Sequence, residues 1–532
     1  MFDLIIQNAR IIDGSGAPAF EADIAVKDGV IAEIGTINQT AAETIDAGGR
    51  VAAPGFIDVH GHSDMFAFVD PDRASKLCQG ITTEICGQCG LGPAPSPAHE
   101  ILYQQYAGYL GSLGAPIYPQ SKEFTSFGAY LDFMETMPLG INTAYFIPHG
   151  MVRLAVMGLS PEKPSATQLD QMKALVRDGM ENGAFGLSSG LMYAPGIFSD
   201  EDELTALCQV VGEYGGIYTS HLRDQGKALL DSVAETIRIA KNANVRANIS
   251  HNKASGKDNW GKVQEVIKLI HEADIPVMHD VYPYTAGSSS LLSTLPHYLQ
   301  KMPPGEIIAY LSDTQNHTAL KDAIFNPAPG FESPLYDCGY DGLMIFHAAV
   351  TADAVGKSIQ QVAEELELEP FEAYLKLLIE NQLSAGYIGF SMSETDVRTL
   401  MSDPLCMFGT DGLYVQGMPM THPRAIGTFP RILGRYVREV DLISLEEAIR
   451  KMTSLPAEFY GLKGKGQLRV GMDADIVILD PDRIMDQGDY KQPLLPNAGI
   501  YRVIENGQVV LADDKALGGR FGKVLRAMPQ GE

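Results

Sequence analysis

Two histidines, His60 and His62, follow an apolar stretch in the sequence GFIDVHGHSD, which runs from Gly55 to Asp64. Residues i and i+2 of a β-strand point to the same side, so we expect both imidazoles to leave the end of one strand together. A single buried histidine is more often a hydrogen-bonded core residue than a ligand. A pair on one face indicates a third group to bind, and a metal ion is the commonest such group.

Side chains of similar chemistry stand at the ends of further apolar stretches. They are Cys89, His149, His221, His251 and Asp411. Imidazole nitrogen, thiolate sulfur and carboxylate oxygen are the atoms that bind zinc in proteins. If the strand ends converge, these residues and the histidine pair could hold one Zn²⁺ firmly and leave room for a second.

Some of these residues have simpler explanations. His149, in IPHG, has no ligand partner nearby in sequence, which favours a structural or supporting role. Asp411, in TDG, could instead cap the next helix. Cys86 and Cys89 form a CxxC motif, typical of a redox pair or half of a structural zinc site, but the chain has no second CxxC. Residues i and i+3 of a strand point to opposite sides, so we predict that Cys89 faces the site, with Cys86 in the core or in the layer that supports the site.

The elements that would position these residues are strands followed by helices. Eight strands are predicted, at 56–62, 82–89, 142–149, 184–191, 216–223, 246–253, 276–284 and 405–412. Eight β-then-α units close as a (β/α)₈ TIM-type barrel in the α/β class, with the active site at the C-terminal ends of the strands. The seventh and eighth strands are much further apart than one such unit, which predicts an insertion at about 286–345.

The two ends of the chain have a different pattern. Residues 1–53 alternate as strands separated by turns, and this pattern returns only after residue 465. We therefore predict that 1–53 and 465–532 together build one small β-sandwich domain, beside a barrel domain at 54–464.

Composition limits the classes of function. The chain has 532 residues and a formal charge of −26 at pH 7, which argues against nucleic-acid binding because that requires a basic surface. No stretch approaches the ~20 apolar residues of a membrane span, and six cysteines are too few for a disulfide framework in a chain of this length. We expect a cytoplasmic protein that acts on a small molecule, and the oligomeric state stays open.

The motifs around the candidate donors resemble the amidohydrolase superfamily, and within it the N-acyl-D-amino-acid deacylases, or D-aminoacylases. The resemblance covers nearly the whole chain and includes PGFIDVHGHSD, QGITTEICGQCG, SHLRD, ISHNKASG, GTDG and THPRAIGTFPR. Departures from the family pattern are modest: Gln88 stands where Asn is expected, Thr410 where Ser is usual, and Cys86 adds a thiol without an assigned role.

The resemblance implies a role for each donor. One zinc ion would be held by Cys89, His221 and His251, with the cysteine in the place where many relatives use a carboxylated lysine. A second and weaker metal position would be lined by His60, His62 and Asp411.

Such a site implies hydrolysis of a linear amide. Zinc lowers the pKa of bound water toward about 7 and polarises a carbonyl. Asp411 is placed to accept the proton of the water and hand it to the departing amine. Arg424 offers a planar fork for the α-carboxylate of an N-acyl amino acid, although a lone arginine is ordinarily a surface residue. The other candidates for substrate binding are Tyr193, Lys253, Tyr282 and Ser289.

Two other functions remain open. A cyclic amidase of the dihydroorotase or hydantoinase kind shares the His-x-His motif but usually carries a bridging lysine on the fourth strand, and AFGLSSGL has none. A non-catalytic barrel acting as a scaffold would have lost ligands, and none is missing. The substrate side chain is also open: an acidic D-residue would need one more cation, for which Lys253 could serve, while D-Met and D-Leu are neutral candidates. The preference for D-amino acids rests on the resemblance alone.

Overall fold

The computed structural model describes residues 1–112, 119–328 and 330–527. Five strands open the chain: β1 (Phe2–Ile11), β2 (Phe20–Lys27), β3 (Val30–Gly35), β4 (Ala41–Asp46) and β5 (Val51–Pro54). Strand β1 pairs antiparallel with β2 and parallel with β4 and β5. Alternating apolar side chains of these strands, such as Leu4, Ile6 and Ile24, are buried in one cluster, as a period of two residues predicts.

After Pro54 the chain changes to parallel strands that alternate with helices. The strands are β6 (Phe56–Asp58), β7 (Ile81–Cys86), β8 (Asn142–Tyr145), β9 (Ile147–Pro148), β10 (Gly186–Gly190), β11 (Ile217–His221), β12 (Arg246–Ile249) and β13 (Val277–Val281). The helices are α1 (Ala74–Leu77), α2 (Glu100–Ser112), α3 (Phe127–Thr136), α4 (His149–Met157), α5 (Ala166–Glu181), α6 (Glu201–Glu213), α7 (Leu229–Ala243) and α8 (Val263–His271). Nearly every residue of these strands is buried, which is typical of parallel strands covered by helices.

A long segment separates β13 from the next parallel strand. It contains β14 (Gly287–Ser290), β15 (Leu343–His347) and β16 (Gly386–Gly389), and the helices α9 (His297–Gln300), α10 (Pro304–Ser312), α11 (His317–Phe325), α12 (Pro334–Cys338), α13 (Ile359–Leu366), α14 (Pro370–Glu380) and α15 (Glu394–Ser402). The three strands form a separate antiparallel sheet in the order β14, β16, β15. The segment also has its own apolar cluster, which extends from Leu291 to Tyr387. This group therefore continues past residue 345, because β16 and two helices complete its core.

The parallel series then resumes. Strand β17 (Cys406–Phe408) is followed by α16 (Arg424–Arg431), a π-helical stretch (Ile432–Glu439), α17 (Leu445–Met452) and α18 (Ser454–Tyr460). Pairing follows chain order, with β6, β7 and β8 in one sheet and β9 to β13 and β17 in another. Hydrogen bonds join the two sheets at both edges: Phe185 N donates to Tyr145 O at 2.9 Å, and Val59 N donates to Phe408 O at 3.4 Å. The C-terminal ends of all these strands therefore face the same side.

The first strands end earlier than the sequence predicted. Strand β6 ends at Asp58 rather than residue 62, and β7 ends at Cys86 rather than residue 89. His60, His62 and Cys89 consequently lie in turns beyond the strands. The alternation of side chains that was used to orient them does not apply in these turns, and their directions depend on the backbone conformation described below.

The C-terminal strands return to the first sheet. They are β18 (Ile476–Leu479), β19 (Ile500–Glu505), β20 (Gln508–Ala512) and β21 (Lys515–Ala516). Pairing of β18 with β5 joins both ends of the chain in one nine-stranded sheet.

The last described residues leave this sheet. Leu525 N donates to Thr143 O and Ala527 N donates to Gly183 O, both at 2.8 Å. Residues 522–527 thus lie against the N-terminal ends of the parallel strands, away from the candidate donors, because their backbone is bonded there. Within the described ranges, none of the helices has both the length and the apolar character that crossing a bilayer requires.

Candidate metal centre and active site

Six candidate donors converge beyond the C-terminal ends of the parallel strands. His60 and His62 follow β6, Cys89 lies in a 3₁₀ turn after β7, His221 ends β11, His251 follows β12 and Asp411 follows β17. All six side chains are buried. The first and last of these residues are adjacent because β17 lies beside β6, and Asp411 N donates to His60 O at 2.8 Å.

Cys89 is central to one group of donors. Its Sγ lies 3.3 Å from His60 Nε2, 3.4 Å from His251 Nε2 and 3.6 Å from His221 Nδ1. Zn–N bonds of about 2.0–2.1 Å and Zn–S bonds of about 2.3 Å place the ligands of a tetrahedral site roughly 3.3–3.8 Å apart. The spacing and the donor types therefore fit a zinc ion.

His60, His62 and Asp411 form a second group. Asp411 Oδ1 lies 3.2 Å from His62 Nε2 and 3.7 Å from His60 Nε2. The donor atoms of this trio lie within 4.8 Å of one another, as do those of His60, Cys89 and His251. Because His60 belongs to both groups, the two candidate cation positions are neighbours.

Three of the donors have a left-handed backbone. The angle φ is 56° at Cys89, 33° at His251 and 46° at Asp411. Residues other than glycine rarely adopt this conformation, which costs of order 1–3 kcal/mol at each position. The strain coincides with side chains that point into one site, a pattern typical of functional positions.

A buried charge network supports the histidine pair. Lys76 Nζ donates to Asp58 Oδ2 at 2.6 Å and to Thr410 Oγ1 at 2.8 Å, and it lies 2.9 Å from Glu84 Oε1. Gly61 has no room for a side chain, because a Cβ there would lie 1.9 Å from Glu84 Oε1. Sequence reasoning missed this network. The available signal was the presence of charged residues in the otherwise apolar stretches FIDV and TTEIC.

The electrostatic environment favours the metal-binding forms of Cys89 and His251. Burial raises the pKa of the Cys89 thiol, but the imidazoles of His60 and His251 outweigh burial and hold that pKa well below its usual range. Burial, assisted by Lys253, lowers the pKa of His251 to about 3. Thiolate and neutral imidazole are the forms that bind a metal ion.

Asp411 is held as a carboxylate. Burial raises its pKa, but Arg424 and the neighbouring histidines hold that pKa well below its usual range. Arg424 Nη1 lies 2.8 Å from Asp411 Oδ2, and Arg424 Nη2 donates to Ser288 Oγ at 3.1 Å. Arg424 is only 1% exposed. Arg424 is therefore not a surface residue. Its guanidinium group is also not fully available to a substrate carboxylate, because Nη1 is already paired with Asp411.

A cavity of about 110 Å³ opens beside the donors. Its lining includes every residue that the sequence analysis proposed for substrate binding, namely Tyr193, Lys253, Tyr282, Ser289 and Arg424. The Tyr193 ring packs edge-on against His221 with centroids 4.8 Å apart, and Ser289 Oγ donates to Tyr193 Oη at 3.4 Å. The Arg424 guanidinium lies 4.5 Å from the centroid of the Tyr282 ring.

Lys253 contacts a candidate metal ligand directly. Its Nζ lies 2.8 Å from His251 Nδ1 and donates to Gln225 Oε1 at 3.0 Å. Burial lowers the pKa of Lys253 to about 8. Gln225, Glu332 and Asp337 also line the cavity, and sequence reasoning missed all three because no motif or periodicity marks them.

Two residues singled out in the sequence lie outside the donor groups. His149 Nε2 lies 2.9 Å from Glu203 Oε1, in a buried pair that joins α4 to α6. Cys86 is fully buried in the main apolar cluster. The turn at Gly87 and Cys89, with φ of 76° and 56°, separates the two thiols of the CxxC motif.

The chain is similar to known proteins over nearly its whole length. The profile of the amidohydrolase family matches residues 43–278 and 344–511. The chain is 34% identical over 528 residues to the N-acyl-D-glutamate deacylase of Alcaligenes xylosoxydans xylosoxydans, covering 98% of this chain and 96% of the relative. It is 32% identical over 532 residues to the D-aminoacylase of the same organism, covering 98% and 97%.

A solved structure agrees with these relatives. The N-acyl-D-glutamate deacylase of Bordetella bronchiseptica, complexed with zinc and a phosphonate inhibitor that mimics the tetrahedral intermediate, superposes with a TM-score of 0.84 at 32% identity. The superposition covers 99% of this chain and 100% of that chain. This protein belongs to the amidohydrolase family, and the resemblance to D-aminoacylases drawn from its motifs is confirmed.

Proposed function

We propose that this protein is a zinc-dependent hydrolase of N-acyl-D-amino acids, which releases a carboxylate and a free D-amino acid. The observation that carries the proposal is the convergence of six donor side chains beside a cavity that also presents Arg424 and Lys253. Relatives named for this activity, 32–34% identical over nearly the full chain, support it and are the basis for the D configuration.

The ligand roles follow the family resemblance, and the distances from Cys89 Sγ to His221 and His251 support them. Cys89, His221 and His251 would hold one zinc ion firmly, and His60, His62 and Asp411 would line a weaker second position. A bound zinc ion supplies a Lewis acid for the amide carbonyl and lowers the pKa of water toward about 7. Asp280 would orient two of these ligands, since its Oδ1 accepts from His251 N at 2.8 Å and lies 3.4 Å from His60 Nδ1.

Asp411 would move the proton of the reaction. Arg424 keeps the Asp411 carboxylate ionised and fixes its orientation toward the histidine pair. The carboxylate would accept a proton from the attacking water and hand it to the nitrogen of the amine, which leaves poorly as an anion.

The polar residues of the cavity would bind the substrate. Arg424, Lys253 and Ser289 supply donors for the α-carboxylate, and the net charge of −26 makes such a local concentration of positive charge necessary. Tyr193 and Tyr282 would form walls that fix the substrate between the metal ligands and Arg424.

We also propose the domain arrangement and the location. Residues 54–464 would form a closed (β/α)₈ barrel, supported by the bonds that join β8 to β10 and β17 to β6. Both ends of the chain would form a small β-sandwich, supported by the apolar cluster that β1, β2, β18 and β19 share. An insertion from β14 to β16 would cover the mouth of the barrel. Six cysteines, all free, support a cytoplasmic location.

The test is release of amine from paired N-acetyl-D- and N-acetyl-L-amino acids, with metal content measured on the same sample. We expect activity on the D-series that falls when zinc is removed by chelation and returns when zinc is added. Asp411→Asn should lower kcat by about 10²–10⁴-fold, while the exposed Asp341→Asn should not change it. Activity on the L-series alone, or undiminished activity without metal, would overturn the proposal.

A further inference from the structure

The active-site cavity has an acidic wall that the proposed chemistry does not use. Glu332 and Asp337 come from the inserted segment and line the same cavity as the candidate metal ligands. Both also line a second cavity, of about 200 Å³, which Asp224 and Asp258 border as well. The two carboxylates thus form a wall between the active site and a further space.

The backbone holds Glu332 by a hydrogen bond and leaves room for Asp337 at two glycines. Glu332 is 8% exposed, and its Oε2 accepts from Gln225 N at 2.7 Å. Asp337 lies over two glycines: a Cβ at Gly256 would come within 2.4 Å of its Oδ1, and a Cβ at Gly226 would lie 3.4 Å from its Oδ2. The absence of side chains at these glycines leaves the space that the Asp337 carboxylate fills.

Lys253 and Arg424, the two cationic side chains that line the cavity, contact residues other than Glu332 and Asp337. Lys253 Nζ contacts His251 Nδ1 and Gln225 Oε1, at 2.8 and 3.0 Å. Arg424 Nη1 contacts Asp411 at 2.8 Å. Positive charge is therefore concentrated at the metal side of the cavity, where the proposed function uses it for the α-carboxylate.

Glu332 and Asp337, which we call the acidic wall, form no ion pair with another side chain in the described part of the chain. Within residues 1–112, 119–328 and 330–527, the side-chain nitrogens of Lys, Arg and His all lie more than 4.0 Å from the carboxylates of Glu332 and Asp337. Burial and the neighbouring Asp224 and Asp337 raise the pKa of Glu332 to about 8, and burial and Asp224 raise the pKa of Asp337 to about 7. A cation between these two carboxyl groups would favour their ionised forms and pair with them.

We propose that the substrate side chain ends in a cation, an ammonium or guanidinium group of the D-lysine or D-arginine type, and that Glu332 and Asp337 select it. The inference rests on the proposed function and names its substrate class. An acidic side chain would instead meet two carboxyl groups in a buried site with no cation to pair with it, which disfavours such a substrate. The specificity therefore differs from that named for the N-acyl-D-glutamate deacylase relative.

Matched substrates test this on the zinc-loaded full chain. N-acetyl-D-norleucine has the aliphatic chain of lysine without the ammonium group. We expect kcat/KM for N-acetyl-D-lysine to exceed that for N-acetyl-D-norleucine by about 10–100-fold, the value of a charge-assisted contact. It should exceed that for N-acetyl-D-glutamate by more than about 100-fold, and N-acetyl-D-arginine should behave like the lysine compound.

Two variants locate the selectivity. Glu332→Gln and Asp337→Asn should each lower the ratio of kcat/KM for lysine over norleucine by about tenfold, through a higher KM for the lysine compound. The exposed Glu306→Gln should keep the wild-type ratio. The ratio is measured within one protein sample, so a loss of folded protein does not alter it.

The outcomes separate the two proposals. Higher kcat/KM for the glutamate or norleucine compound than for the lysine compound would overturn the inference while the proposed function stands. An unchanged ratio in both variants would also overturn the role of Glu332 and Asp337. No release of amine from any member of the D-series would overturn the proposed function, and this inference with it.

Discussion

At the residue scale, the six donors depend on backbone positions that tolerate little change. Gly61, which lies between the two histidines, packs directly against Glu84 because it has no side chain. Cys89, His251 and Asp411 have a left-handed backbone that the surrounding residues must maintain. The residue types of the donors carry the chemistry, but their directions come from these turns.

The two thiols of the CxxC motif should respond differently to substitution. Cys89→Ala removes the sulfur that contacts three imidazoles, so we expect zinc content to fall well below one ion per chain and kcat/KM to fall by more than about 10³-fold. Cys86→Ala changes only the apolar core and should keep its zinc, with a fall in stability of about 1–2 kcal/mol. Metal analysis and activity assays on the two variants check this. Equal zinc content in both would contradict the assignment of Cys89.

Gly61 provides a test of the support beneath the histidine pair. Gly61→Ala would place a Cβ 1.9 Å from Glu84 Oε1 in a fully buried ion-pair network, so we expect a loss of about 3 kcal/mol or more in stability. Gly305→Ala lies on α10 with nothing within 4 Å of the added Cβ, and should stabilise the chain by up to about 1 kcal/mol. Thermal melting compares the two, and a neutral Gly61→Ala would show that the network relaxes freely.

At the element scale, the residues at the strand ends could be predicted from the sequence, whereas the contacts of the inserted segment could not. The donors could be found from sequence because each follows an apolar strand, and parallel strands bring their ends together whatever the loops do. Lys76 and Glu84 could not, since their pairing depends on the stacking of α1 against β7. Asp337 and Gly226 are brought together by helix α12 and a loop after β11, and no local pattern relates them. Arg424 was predicted in the cavity, but its pairing with Asp411 was not.

The acidic wall, formed by Asp337 of α12 and by Glu332 just before that helix, predicts a pH-dependent stability. The native pKa of Glu332 is about 8 against an ordinary 4.5. The native chain therefore keeps a proton that the unfolded chain has lost, and stability falls as pH rises from about 4.5 to about 8. Glu332→Gln removes this contribution. Without substrate, we expect its Tm to exceed that of the wild type by about 2–5 °C at pH 8 and to match it at pH 4.5. A Tm difference that is the same at both pH values would contradict the raised pKa.

At the whole-molecule scale, the candidate site lies at one end of the parallel strands, and contacts that stabilise the fold lie at the other end. The donors and the cavity lie at the C-terminal ends of these strands. The nine-stranded sheet from both termini and the last described residues, 522–527, lie elsewhere, and the latter bond to the N-terminal ends. The sequence showed that both ends of the chain share a strand pattern, but not that the final segment returns to the parallel strands, because that contact is made by isolated backbone bonds.

Removal of residues 517–532 should therefore affect stability and not chemistry. The truncated chain loses the backbone bonds of Leu525 and Ala527 and the ion pairs of Arg526 with Asp132 and Glu135. We expect Tm to fall by roughly 3–8 °C, with zinc content and kcat/KM unchanged below the transition. A loss of zinc at temperatures where the truncated chain is folded would contradict this separation.

Anomalous scattering at the zinc edge, from a crystal of the zinc-loaded chain, tests the central claim most directly. The account predicts a strong peak bounded by Cys89 Sγ and the imidazoles of His221 and His251, with a weaker peak or none beside His62 and Asp411. A zinc ion bound elsewhere, or Cys89 outside the coordination sphere of the ion, would contradict it.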